Sequence, residues 1–342
     1  MLLRLLSSLA LASAVRPLRL EGLMAAVFTP FDGEGEINLA AIPQQWQYLQ
    51  STGIQWVFVC GTTGESLSLT VEEREALTEA WAKTEANVVV HVGAEALKDA
   101  QRLAAHAAKH GAKAIGAMPP TFLRPANAKA AAAFLVSTCK AAPFIPCYYY
   151  HIPSMTNVYI NLIDLVFEID SIGQGFDANG SFAGIKDTGL EASPGFVDAL
   201  EVMRYKEGKY EVLGGREELM LPALAVGIKG FVGSQFNYAG DLFNMIREAF
   251  AKEDHTSQDL QKLQMRAIDL ISAWRAPAGV DGNKRFAQLA GLPVGDARPP
   301  ALPVADAAVA LSRNFSKWCL QNADLDLVAC KQKAPCPAPG PN

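Results

Sequence analysis

The sequence predicts an α/β chain built as a (β/α)8 TIM barrel with a C-terminal helical extension. Three observations predict it. Eight short apolar runs recur through residues 21–255 at roughly 30-residue spacing, most of them separated by helix-forming segments. The runs are near-continuous in apolar residues and do not alternate, the pattern of parallel strands covered on both faces. At 342 residues and 50% hydrophobic content, the chain can bury one such core as a single domain. An open doubly wound sheet is the structural competitor, but it needs no eighth strand and would usually show a glycine fingerprint after its first strand.

Taken in order, residues 23–29 form a first strand ended by Pro30 and a turn of Asp32, Gly33, Glu34 and Gly35. Asn38 is expected to cap a helix carrying Ile42, Trp46, Leu49 and Gln50, closed by Gly53. Residues 54–60 are the second strand. Thr70 with Glu73 makes a capping box that opens a helix running to about residue 85. Residues 88–92 are the third strand, 97–110 a helix, and 113–118 the fourth strand, stopped by Pro119 and Pro120. A helix at 126–141 precedes the fifth strand at 145–150. A helix at 159–169 and a glycine-rich loop at 173–180 lead to the sixth strand around Ile185. The seventh strand is 210–213, followed by a short helix at 219–226, and the eighth is 230–232. After residue 255 the pattern is helical only, at 259–274, 282–289 and 301–320. The expected organisation is therefore a leader-like or disordered extension (1–20), a barrel (21–255), a helical cap (256–322) and a disordered tail (323–342) containing Pro335, Pro337, Pro339 and Pro341.

The formal net charge of -5 offers no basic footprint for nucleic acid. A small anionic substrate would have to be held by local groups. Residues 1–20 hold Arg4, Arg16, Arg19, three serines and no acid, a composition that suits an organellar transit peptide. The alternative is a poorly ordered extension ahead of a cytoplasmic enzyme, and cytoplasmic is the primary expectation. The apolar run in this stretch is too short to span a bilayer, which takes about 20 residues, so no membrane association is expected. Six cysteines show no metal-ligand spacing, and Cys60 and Cys147 in apolar runs suggest reduced thiols without a disulfide framework. His91, His106, His110, His151 and His255 are expected to form no ligand set on one helix face, so no metal or other cofactor is predicted.

The chemistry centres on residues 183–190, Ala-Gly-Ile-Lys-Asp-Thr-Gly-Leu. Lys186 lies in an apolar run that reads as a buried strand end. Burial disfavours the charged amine and lowers its pKa, and a neutral amine can attack a ketone to form a Schiff base. The competing reading is a lysine that snorkels its head to solvent. Tyr150, within Cys-Tyr-Tyr-Tyr-His-Ile-Pro-Ser-Met-Thr at 147–156, carries a phenol that can pass a proton, while Tyr148 and Tyr149 read as aromatic core. Gly61-Thr62-Thr63-Gly64-Glu65 combines exposed amides with two hydroxyls, a turn that suits a carboxylate. In a barrel of this kind Thr62 and Thr63, Tyr150, Lys186, Glu217 and Glu218, and Ser234 all fall at the C-terminal ends of strands and face one mouth.

These three motifs, in this order, resemble the dihydrodipicolinate synthase / N-acetylneuraminate lyase family of pyruvate-dependent class I aldolases. Tyr-His-Ile-Pro at 150–153 and Gly-Ser-Gln-Phe-Asn at 233–237 are most similar to its neuraminate lyase branch, and the resemblance runs from about residue 21 to about residue 321. It implies that Lys186 forms the Schiff base, Tyr150 donates and accepts the proton, and Thr62 and Thr63 hold the carboxylate of the 2-oxo acid. It further implies that Thr188, Gly215, Glu217, Glu218 and Ser234 bind the rest of the sugar. The implied reaction is reversible cleavage of N-acetylneuraminate to N-acetylmannosamine and pyruvate, without a metal, by a homotetramer. One departure is Glu217, where the family usually has aspartate. Met155 and Phe122 stand where dihydrodipicolinate synthases carry an arginine and a tyrosine, which argues against that activity. A 4-hydroxy-2-oxoglutarate aldolase and a catalytically inactive binding barrel are the remaining alternatives.

Overall fold

The computed structural model describes residues 18–172, 182–189, 195–252, 258–278, 281–301 and 307–331. Eight parallel strands form a closed barrel in sequence order: β1 (Gly22–Ala26), β2 (Trp56–Val59), β3 (Asn87–His91), β4 (Ala114–Ala117), β5 (Cys147–His151), β6 (Phe182–Asp187), β7 (Glu211–Gly214) and β8 (Gly230–Gly233). β1 closes on β8 with Met24 opposite Val232.

The two-residue period of each strand divides its side chains between two cores. Met24, Phe58, Val89, Tyr148, Tyr150 and Val232 fill the barrel interior. Their neighbours, among them Val57, Val88, Val90, Ile115, Tyr149, Ile185 and Phe231, pack outward against the helices. The helical layer comprises α1 (Ile42–Ser51), α2 (Val71–Ala82), α3 (Leu97–Lys109), α4 (Ala128–Cys139), α5 (Pro153–Thr156), α6 (Leu162–Ile172), α7 (Gly195–Arg204), α8 (Met220–Ala225) and α9 (Phe236–Ala251). The cap adds α10 (Gln258–Ala278), α11 (Asp281–Leu289), α12 (Ala308–Gln321) and α13 (Val328–Lys331).

The capping box forms as expected: Glu73 N donates to Thr70 Oγ1 at 3.1 Å, and Thr70 N donates to Glu73 Oε2 at 2.8 Å. Asn38 does not cap through its side chain, because a 3-10 turn at Leu39–Ala41 intervenes and α1 starts at Ile42 with a proline in its first turn. Three helices within the barrel layer were not anticipated. α5 is a single turn set up by Pro153, α7 opens on a glycine that conceals its start, and α9 begins inside the Gly-Ser-Gln-Phe-Asn motif.

The cysteine expectation is corrected. Cys139 pairs with Cys147, and Cys319 pairs with Cys330, leaving Cys60 as the buried free thiol among the described residues. Each pair joins elements that packing brings together, α4 to β5 and α12 to α13, and spacing alone hides both. The stretch expected to be disordered from residue 323 begins with a 3-10 turn and α13, with Leu327 and Ala329 buried. Val328 N donates to Asp241 Oδ2 of α9 at 2.7 Å. The glycine-rich loop at 173–180, most of the leader and the proline-containing end lie outside the described residues. Among the described residues no helix is long and apolar enough to cross a membrane.

Candidate active site

Lys186 and Tyr150 sit one residue before the ends of β6 and β5, directly paired in the ladder. Their parity turns both side chains into the barrel. Lys186 is 4% exposed, and its Nζ stands 3.8 Å from the Tyr150 ring centroid and 4.1 Å from that of Phe58. Burial among these rings lowers the lysine pKa from 10.5 to about 7, with the Glu217 charge pulling the other way. A substantial fraction of the amine is therefore neutral near neutral pH. Burial likewise pushes the Tyr150 phenol up to about 12, although its bond to Thr62 opposes the shift.

Thr62 Oγ1 and the Tyr150 hydroxyl share a 3.1 Å hydrogen bond, so the loop after β2 reaches the Tyr150 phenol directly. The loop is held in an unusual shape. Cys60 and Glu65 flank it, both with φ of 56°, a left-handed conformation that non-glycine residues adopt at a cost. Buried partners impose that shape. His91 Nδ1 bonds the Cys60 carbonyl at 2.8 Å, and Lys284 Nζ of α11 donates to Glu65 Oε1 at 2.7 Å and to the Thr29 carbonyl at 2.9 Å. Met118 N donates to His91 Nε2, which assigns the His91 proton to Nδ1.

On the opposite side of the mouth, Thr188 Oγ1 donates to the His151 carbonyl at 2.8 Å and Gly215 N donates to the Asp187 carbonyl at 2.8 Å. A Cβ on Gly215 would come within 2.4 Å of Thr188 Cγ2, so this crossing requires glycine. Glu217 is buried with its carboxylate turned inward, where Gln235 N donates to Oε1 at 3.2 Å and the Ser234 amide also bonds it. Burial raises this carboxyl to about 7. Glu218 points elsewhere and pairs with Arg275 of α10 at 2.8 Å. Ser234 Oγ accepts from Asn283 Nδ2 of α11 at 2.7 Å, and the Tyr238 hydroxyl donates to Asn283 Oδ1 at 2.7 Å.

A sequence profile of the dihydrodipicolinate synthetase family matches residues 19–313. The chain belongs to the dihydrodipicolinate synthetase family. Among family members, the N-acetylneuraminate lyase of Danio rerio is 38% identical over 294 residues, covering 83% of this chain and 92% of that one. The Homo sapiens N-acetylneuraminate lyase is 38% identical over 307 residues, covering 87% and 90%. The native structure of the Aliivibrio salmonicida enzyme, a sialic acid aldolase, matches with a TM-score of 0.79 at 31% identity, covering 87% of this chain and 97% of that one.

The family fold thus brings Thr62, Thr63, Tyr150, Lys186, Thr188, Gly215, Glu217, Glu218 and Ser234 to one end of the barrel. Glu217 and Glu218, adjacent in sequence, diverge: one faces the buried amides at the start of α9, the other an arginine of the cap. Sequence reasoning missed Phe58, Glu65, His91, Asn283 and Lys284. Phe58 carries no polar signal, Glu65, Asn283 and Lys284 meet their partners only once the cap packs on the barrel, and His91 acts through the Cys60 carbonyl after the neighbouring strand. Asp187 and His151, paired at the ends of β6 and β5, are buried with Asp187 Oδ2 and His151 Nδ1 lacking partners among the described residues. Burial raises Asp187 to about 7 and lowers His151 to about 4.

Proposed function

We propose that this chain is a class I, Schiff-base aldolase that cleaves N-acetylneuraminate reversibly to N-acetylmannosamine and pyruvate. The observation that carries the reading is the buried, partly neutral Lys186 amine packed on Tyr150 inside a barrel whose relatives are N-acetylneuraminate lyases. The Lys186 amine attacks the C2 ketone of the open-chain sugar acid, and loss of water leaves an iminium. The Thr62 and Thr63 hydroxyls and the neighbouring amides hold the substrate carboxylate. Tyr150, whose resting form is the neutral phenol, takes the C4 hydroxyl proton as its own passes toward that carboxylate. The C3–C4 bond breaks, its electron pair moves into the iminium, and N-acetylmannosamine leaves as the aldehyde. The resulting enamine is protonated at C3, and water hydrolyses the pyruvyl imine to restore the amine. The iminium is the electron sink, so the residues need no cofactor.

Thr188, Gly215 and Ser234 line the side of the mouth where the polyhydroxy chain would extend, and Glu218, paired with Arg275, would contact it only by leaving that arginine. Glu217 acts there by bracing the Ser234 and Gln235 amides, and by its charge near Lys186. A homotetramer accompanies this reading. Phe122 and Leu123 are 85% and 82% exposed on the loop after β4, where Glu95 accepts from Thr121 N and Phe122 N, and such an apolar tip suits a second copy of the chain. Light scattering would test it. The cytoplasm is the compartment proposed. The free thiol of Cys60 supports that placement and the two cysteine pairs argue against it, and cell fractionation would decide between them.

The deciding experiment follows pyruvate release from N-acetylneuraminate by the parent and by Lys186→Ala. Release abolished in the variant supports both substrate and nucleophile. If the parent releases nothing, borohydride reduction with pyruvate separates the remaining readings: mass added at Lys186 keeps the Schiff-base chemistry with another substrate, and none leaves an inactive barrel.

A further inference from the structure

The seam between α2 and α3 carries a row of facing polar groups. Arg102 of α3 bonds Glu72 at 2.9 Å and Glu75 at 2.7 Å on α2. One turn further along, the guanidinium gives way to imidazoles. His106 and His110 are four residues apart, so both project from one face of the helix. Their rings stack at 4.2 Å between centroids with 20° between planes. Glu79 Oε1 lies 3.1 Å from His106 Nε2 and 3.8 Å from His110 Nε2. His106 and His110 thus do share one helix face beside a carboxylate, against the expectation from sequence.

We propose that Glu79, His106 and His110 form a binding site for a divalent transition-metal ion, with Zn²⁺ as its natural probe. One oxygen and two imidazole nitrogens form a donor set that suits such ions, and it leaves at least one coordination position for water. One donor atom from each residue lies within 4.8 Å of the other two. Tetrahedral Zn²⁺ with bonds of about 2.0–2.1 Å separates its donors by about 3.4 Å, so the two Glu79–histidine distances need shifts of well under an ångström, and one of the two stacked rings has to turn to bring its nitrogen onto the shared ion. Access is open, with Glu79 42%, His110 30% and His106 15% exposed. Lys83 adds a positive charge near Glu79, which the carboxylate offsets.

The topology also assigns the role. Barrel helices run antiparallel to the strands, and all three ligands lie at or near the C-terminal ends of α2 and α3. The site is therefore on the face opposite the lysine. A metal there staples α2 to α3 and takes no part in the chemistry.

The test is titration of the metal-free protein with Zn²⁺ by calorimetry, backed by the Co²⁺ absorption spectrum. The expected result is one equivalent bound per chain, a raised melting temperature and a Co²⁺ spectrum without a thiolate charge-transfer band. His106→Ala/His110→Ala should lose saturable binding, and Glu79→Gln should weaken it by at least about tenfold, the loss that removing even an outer partner of a ligand brings. Circular dichroism on each variant confirms that it is folded, and lyase turnover should be unchanged in all of them. No saturable binding in the parent, unchanged binding in the double variant, or a thiolate band would each overturn the proposal.

Discussion

Tyr150 and Lys186 stand opposite each other in the β5–β6 ladder, and the amine lies 3.8 Å from the centre of the phenol ring. The same ring thus desolvates the Lys186 amine and presents a hydroxyl to Thr62. Tyr150→Phe keeps the first role and removes the second. Turnover should fall roughly 10²–10⁴-fold, while borohydride trapping of pyruvate on Lys186 persists. Loss of trapping together with turnover would show that the ring, and not the hydroxyl, was the damaged element.

The pH dependence of trapping follows from the amine. Because burial holds Lys186 near 7, the trapping rate should rise through about pH 7 and level off well below the ordinary lysine value of 10.5. Glu217 raises this pKa by its charge. Glu217→Gln should move the midpoint to lower pH, and an unchanged midpoint would remove Glu217 from the electrostatics of the site.

Burying Lys186 costs stability, with a definite sign. Between about pH 7 and 10.5 the unfolded chain holds a proton on this lysine that the folded chain has released, so parental stability rises with pH across that window. Lys186→Met lacks this dependence. It should be more stable near neutral pH by several kcal/mol, and the gap should narrow toward pH 10.5. Urea denaturation at several pH values measures the difference.

The bond between Lys284 and Glu65 joins the helical cap to the loop after β2. The lysine side chain is 6% exposed and the glutamate 16%, so removing one partner strands the other. Lys284→Met and Glu65→Gln should each destabilise by about 3 kcal/mol and raise KM for pyruvate in the condensation direction. The double variant should lose less than the sum.

Most of the barrel was legible because its signals are local. Apolar runs of strand length, Pro30, the Pro119 and Pro120 stop, and the Thr70–Glu73 box each act over a few residues, and the closed eight-stranded sheet follows from their count. The motifs around Lys186, Tyr150 and Thr62 were legible for the same reason: position at a strand's C-terminal end is a property of sequence order. Asn38 failed as a cap because an extra 3-10 turn won locally, and α9 was hidden by starting within a motif read as a loop.

What the sequence by itself determined is the alternation of elements, the parity that turns Lys186 and Tyr150 inward, and the end of the barrel where they lie. Tertiary structure alone decided which groups meet across long separations. Asn283 holds Ser234, Lys284 holds Glu65, His91 holds the Cys60 carbonyl, and Glu79 faces two histidines on the next helix. Periodicity is set by bonds between near neighbours, whereas these contacts depend on how the layers pack, and packing leaves no repeat in the chain for a reader to find.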